Sequence, residues 1–296
     1  MNSSIEIYLD DLKKEMQGLD IAIIRDALAD AEEHLRTALD HKHESNPDLD
    51  EAYALQQIIE QYGSPEETAA AYAEVERRTF PELNSPVNQK SRSLLSRYFG
   101  IFADPKAWGA MLYMLVSLLT GIVYFTWVTV GLSLSVSFAI FIFGLPVALF
   151  FLISVRGIAL LEGRLVEALL GVRMPRRSLF ASLDGKWLQR LKVLLLDKHT
   201  WMGMLYMVVQ LLLGNIYFAL LVGLISLSLS LFAIPVTQIV FHLPIFQLDG
   251  MEYFLPTAAL PFTVLFGFLL FTLTMHIARG IGQLHGKYAK FILVGE

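Results

Sequence analysis

The sequence has no cysteine, and charge is scarce: Asp, Glu, Lys and Arg make up only 17% of its 296 residues, where a soluble domain carries roughly 25%. The missing cysteines exclude a disulfide framework, an iron–sulfur centre, a cysteine-zinc site and a thiol nucleophile. Charge is missing altogether from three stretches. They are the 49 residues between Lys106 and Arg156, the 50 from His199 to Leu248 and the 26 from Tyr253 to Ala278. What charge remains is divided by sign. Residues 1–90 hold 20 acidic against 8 basic side chains, and residues 91–296 hold 8 against 15. An acidic, polar head is therefore joined to a basic, apolar body.

A membrane-crossing helix needs about 20 apolar residues, because the hydrocarbon core is about 30 Å thick and each residue rises 1.5 Å. The first stretch holds two spans and the third holds one. The middle stretch is long enough for two, but Pro235 and Pro244 fall in its second half, and each removes a helix hydrogen bond. Cation placement decides the number. Segment 156–198 carries Arg156, Arg164, Arg173, Arg176, Arg177, Lys186, Arg190, Lys192 and Lys198, and the C-terminal segment carries Arg279, Lys287 and Lys290. Both face the cytoplasm only if the chain crosses four times. The expected spans are 107–130, 134–156, 201–223 and 256–278. Residues 1–30 are acidic and lack an apolar stretch of signal-peptide type, so the head is expected in the cytoplasm of a bacterial cell, with both termini on that side of the inner membrane.

The body repeats itself. At an offset of 93, Asp104, Trp108, Met111, Leu112, Tyr113, Met114, Val116, Leu118, Leu119, Gly121, Tyr124 and Phe125 fall on the same residue types, twelve identities in 22 positions. At an offset of 123, Arg156-Gly157-Ile158 falls on Arg279-Gly280-Ile281, while Glu162 and Arg164 fall on His285 and Lys287. Each repeat is then a two-span hairpin, and the two are parallel. The larger second offset implies an insertion of 30 residues, centred on 230–256, on the far side of the membrane. It holds His242 and the acidic pair Asp249 and Glu252. It reads either as an interfacial or re-entrant loop that caps the bundle or as a signal-input loop whose two carboxylates receive a divalent cation or a cationic peptide.

Residues 1–78 read as four short amphipathic helices with one small core. Apolar residues recur at helical spacing from Ile5 to Met16 and from Ile21 to Leu39, and again through Leu55, Ile58 and Ile59. Ser64-Pro65-Glu66-Glu67 supplies an N-cap, a proline at the first helical position and a capping-box glutamate for the fourth helix. Asp26, Asp30 and Glu33 share one face of the second helix. That face is either simply solvated or a docking surface for a basic partner, and the cationic loop 173–192 is one such partner in the same chain. Residues 79–97 form a linker rich in Pro, Ser and Asn.

Tyr8-Leu9 with Leu12, Glu33-His34-Leu35, Glu51-Ala52, and Tyr62-Gly63-Ser64-Pro65-Glu66-Glu67 followed by Ala69 and Tyr72 resemble the bacterial HAAS-type α-helical signalling domain. The body is similar to the bacterial sensor-type membrane domain. That likeness rests on Trp108 with Tyr113, the Gly144-Leu145-Pro146 step, and Arg156-Gly157 with Leu161-Glu162 and Arg164. The resemblances cover about residues 5–78 and 98–292. They imply signalling, with a small PadR-type helix-turn-helix regulator as a candidate partner. Sensor-type domains are often fused to kinases, but no glycine-rich phosphate loop or H-box occurs here, so a signal would leave by protein–protein contact.

Other chemistries fit less well. His41 and His43 project about 200° apart on one helix and cannot share an ion. His276 reads as a polar contact between helices, and Gly121 and Gly214 as points of close helix packing. Arg156, Glu162 and Arg164, with Arg279 and Lys287, are placed at the cytoplasmic rim. There they either snorkel to lipid phosphate or relay hairpin tilt to the loop 165–198. No catalytic residue, cofactor, metal or direct nucleic-acid contact is expected. The overall expectation is an all-α membrane signalling protein, whose partners are membrane lipids and a cytosolic protein, with self-association left open. A lipid or small-hydrophobe carrier on the same spans is the alternative.

Overall fold

The computed structural model describes residues 3–46, 51–79, 94–138, 144–175 and 187–295. The chain is all-α apart from one small hairpin, as the sequence leads one to expect. The head holds α1 (Ser3–Glu15), α2 (Ile21–Ser45), α3 (Glu51–Tyr62) and α4 (Pro65–Thr79). Gly18, at φ 97°, turns the chain between α1 and α2, and Asp20 caps α2 by accepting from the Ala22 N–H at 2.9 Å. The capping box on α4 forms in both directions. Glu67 N–H donates to Ser64 Oγ at 3.2 Å, and Ser64 N–H donates to Glu67 Oε2 at 3.1 Å. The apolar faces of the four helices meet in one core that includes Tyr8, Leu12, Met16, Leu35, Leu55 and Ile58.

The body begins with α5 (Leu94–Phe99) and a 3₁₀ turn. Then follow α6 (Pro105–Phe138), α7 (Gly144–Leu170), α8 (Trp187–Leu196), α9 (Lys198–Ile239) and α10 (Leu260–Val294). Among the described residues α6, α7, α9 and α10 are the four helices long and apolar enough to cross a membrane. Each keeps large apolar side chains on its outer surface, among them Leu119, Phe150, Leu212 and Phe266, as lipid-facing helices do. The starts of α6 and α9 lie with the ends of α7 and α10 on the side of the head. There Lys106 approaches Gly171, and His199 approaches Gly295.

The third span and the insertion differ from the sequence expectation. Helix α9 does not stop near residue 223. It continues through Pro235 to Ile239 and reaches 42 residues, about 63 Å at the helical rise. Residues 224–239 contain neither glycine nor charge, and Pro235 costs a single hydrogen bond close to the helix end. The helix stops where His242 adopts φ 51° and Pro244 follows. The insertion is therefore not wholly irregular. Its first part is helix, and its second is a hairpin of β1 (Phe246–Leu248) and β2 (Met251–Tyr253). The expected boundaries 230–256 thus begin inside α9.

A close helix contact lies where α6 crosses α9. A Cβ on Gly121 would sit 2.8 Å from the Gln210 carbonyl oxygen, and one on Gly214 would sit 2.2 Å from the Ser117 oxygen. These two glycines are repeat equivalents, as are the positions they touch, Ser117 and Gln210. Gly214→Ala is expected to lower stability by about 1–3 kcal/mol, the usual cost of overpacking, read as a lowered unfolding temperature in detergent. Gly223→Ala on the same helix, where a Cβ meets nothing within 4 Å, should be harmless.

Candidate functional site

A polar cluster lies inside the membrane body, where its cost has to be met by internal hydrogen bonds. Glu162 on α7 is 1% exposed. Its Oε1 accepts from Tyr113 Oη at 2.6 Å and from Tyr206 Oη at 2.8 Å, and its Oε2 accepts from Tyr124 Oη at 2.8 Å. His285 on α10 faces the same two tyrosines, with Nε2 2.6 Å from Tyr113 Oη and 3.0 Å from Tyr206 Oη. Gln210 donates to Tyr113 Oη at 3.0 Å, and Tyr217 Oη lies 3.2 Å from His285 Nδ1.

Proton counting assigns the roles. Each phenol has one hydrogen, and Tyr113 and Tyr206 direct theirs at Glu162. The hydrogen between them and His285 must then come from Nε2–H, which leaves Nδ1 to accept from Tyr217. The cluster is a carboxylate and an imidazole joined through two phenols.

The same residues are matched by the repeat. Tyr113 corresponds to Tyr206, Tyr124 to Tyr217, and Glu162 to His285. The two central hydroxyls lie 3.4 Å apart, where an axis relating the hairpins would pass. A second matched set lies toward the head. Arg156 of the first hairpin holds Asp197 of the second at 2.5 Å, and Arg279 of the second holds Asp104 of the first at 2.5 Å. Burial would raise the Asp197 carboxyl, but the His199 N–H, the Arg156 guanidinium and the Thr200 hydroxyl outweigh it, and the group is held below the usual carboxylate range.

A family model described as "Putative sensor" matches residues 113–293, a span that runs from the first tyrosine of the cluster to just beyond its histidine. The chain belongs to this sensor family. No curated protein and no solved structure matches it.

In this member of the sensor family the head, which lies outside the matched span, sits on the ends of α7, α9 and α10. Arg173, just after α7 and 6% exposed, donates to Glu76 at 2.9 Å and Asp26 at 3.1 Å in the head, and to Glu167 on α7 at 3.2 Å. Burial pulls its pKa down, but these carboxylates, Glu76 foremost, leave it raised overall. Lys290 donates to Asp20 Oδ2 at 2.5 Å, so one aspartate both caps α2 and binds α10. Ile21 packs against the buried apolar cluster that includes Ala289 and Val294 of α10. Arg25 donates to the Val294 carbonyl and lies 3.3 Å from His199 Nε2. Burial lowers its pKa, with Asp197 and Asp26 opposing only in part.

The structure divides the residues singled out from sequence. On the head, Asp26 meets Arg173, whereas Asp30 accepts from Tyr72 within the head and Glu33 is exposed. Residues 176–186 of the cationic loop lie outside the described residues, as do 80–93 of the linker. At the rim, Arg164 lies 3.5 Å from Glu167 and Lys287 is exposed. Glu162 is buried in the bundle interior, where three phenols offer it hydrogen bonds. His276 binds the Tyr98 carbonyl on α5 at 2.9 Å. On the far side Asp249 and Gly250, at φ 49° and 76°, form the two-residue turn of the hairpin, the geometry that favours Asp-Gly. Glu252 pairs with Gln247, and His242 stands at the exposed end of α9. No group of three or more His, Asp or Glu converges among the described residues, so the acidic pair has no third metal ligand there. The tyrosines were visible in the sequence as repeat identities, and Tyr113 also in the resemblance to the sensor-type domain. The signal that could have found the cluster was the unlike pair Glu162 and His285 at equivalent positions.

Proposed function

We propose that this chain is a non-catalytic sensor of the bacterial cytoplasmic membrane, which passes an envelope or lipid signal to a cytosolic protein through its acidic, HAAS-type head. In this reading both termini face the cytoplasm, and a PadR-type helix-turn-helix regulator is the candidate partner. The observation that carries the proposal is Arg173. It is buried at the end of α7, eleven residues after Glu162, and bonded to head and body at once. A shift of α7 within the bundle would act directly on the contacts that hold the head.

Full chains recovered from bacterial membranes after in-cell crosslinking test the proposal. The wild type is expected to change its yield of head-bound soluble partner after an osmotic downshift. A chain lacking 236–255 is expected to insert normally but hold one yield under both conditions. Equal yields from both chains under both conditions would refute the sensing role, and loss of hydrophobe movement with unchanged regulatory output would favour the carrier.

A further inference from the structure

We infer that the cavity between head and body is a binding site for an anionic phosphate group carried by an amphiphile from the leaflet on the head side, and that this ligand clamps the head onto the membrane helices. The inference rests on the docked, signal-passing head proposed above and names what regulates it.

The cavity has a volume of about 100 Å³. Its walls come from both parts of the molecule. Arg25 and Ala29 belong to α2, while Arg156, Asp197 and His199 belong to the body. The charges do not cancel. Arg156 is matched by Asp197, but Arg25 is bonded to a carbonyl oxygen and an imidazole and to no carboxylate among the described residues. A half-buried guanidinium held this way retains N–H donors for an anion, and charge-assisted bonds to phosphate are the strong ones. The opposite wall is apolar. Ala159 and Leu160, on the membrane-crossing helix α7, form a part-exposed apolar strip of the cavity lining, and Val155, which also borders it, is fully buried. A cationic pocket with an apolar strip in its wall suits a headgroup with an acyl chain attached, and a free nucleotide or sugar phosphate has no use for the strip. Because Arg25 stands on the head and the strip on the body, the ligand can be held fully only while the two are together.

The test uses the full chain in nanodiscs of phosphatidylglycerol or phosphatidylcholine. Bound lipid is read by native mass spectrometry, and head docking by the amide that carbodiimide forms between the touching Asp20 and Lys290. The expected result is one phosphatidylglycerol per chain, retained at least about tenfold more tightly than phosphatidylcholine. Arg25→Gln and Ala159→Phe should each abolish that preference, the first by removing the cation and the second by filling the strip. If inorganic phosphate at millimolar concentration displaces the lipid, the anion site stands and its ligand is a soluble phosphate. If both variants retain phosphatidylglycerol as the wild type does while the crosslink still forms, the inference is wrong and the docked head remains. If the crosslink fails to form in the wild type, the docked head and the site fall together.

Discussion

Exchanging Glu162 and His285, so that the carboxylate stands on α10 and the imidazole on α7, restores most of the stability that either single substitution removes. Glu162→His leaves two basic rings facing the phenols, and His285→Glu places two carboxylates against them. Each strands a buried charge or donor, at a cost of about 3–5 kcal/mol when one partner of a buried set is lost. The double exchange puts one acid and one base back on the same two hydroxyls, because positions 162 and 285 are equivalent in the repeat and Tyr113 and Tyr206 touch both. The unfolding temperature of the four chains in one detergent checks this as a double-mutant cycle. A double exchange no more stable than the sum of the single losses would show that the two hairpins surround the cluster unequally.

Arg173→Glu is expected to release the head. The wild-type guanidinium is 6% exposed and reaches Glu76, Asp26 and Glu167. Reversal sets a fourth carboxylate among three, and loss of a buried, hydrogen-bonded charge is again worth about 3–5 kcal/mol. The Asp20–Lys290 carbodiimide product should fall more than about tenfold. Arg164→Glu, at a site whose side chain is 48% exposed, should leave it nearly unchanged, as expected for a surface ion pair. Salt sharpens the comparison. Screening weakens exposed pairs far more than buried ones, so docking through Arg173 should persist at ionic strengths that suppress surface contacts. An undiminished crosslink in Arg173→Glu would mean that the apolar contact of Ile21 with α10 holds the head by itself.

The four long helices were legible because three long stretches lack charge and each is long enough for one or two spans, and the head helices because Asp20 and Ser64 cap them in standard ways. The likeness of the two hairpins was legible through twelve identities at an offset of 93. Two things were not. The length of α9 was hidden by Pro235, since a proline near a helix end has the same letter as one that ends it. The polar cluster was hidden by distance: Tyr113, Glu162, Tyr206 and His285 are separated by about forty to eighty residues, and nothing local distinguishes a phenol that binds a carboxylate from one at a lipid interface. Asp249 reads two ways, because an acidic residue before glycine signals a turn as readily as a ligand, and its turn role is the one its backbone shows.

Arginine on each hairpin grips aspartate on the other, at Arg156 with Asp197 and at Arg279 with Asp104. Contacts that run both ways between like surfaces are how the two copies of a symmetric dimer meet. A single hairpin cut from this chain would carry an arginine and an aspartate whose mates have been taken away, and a second copy would offer both at once. The two halves of the membrane body thus meet through these pairs as two copies of a symmetric dimer would, while the arm that extends α9 and its hairpin belongs to one half alone.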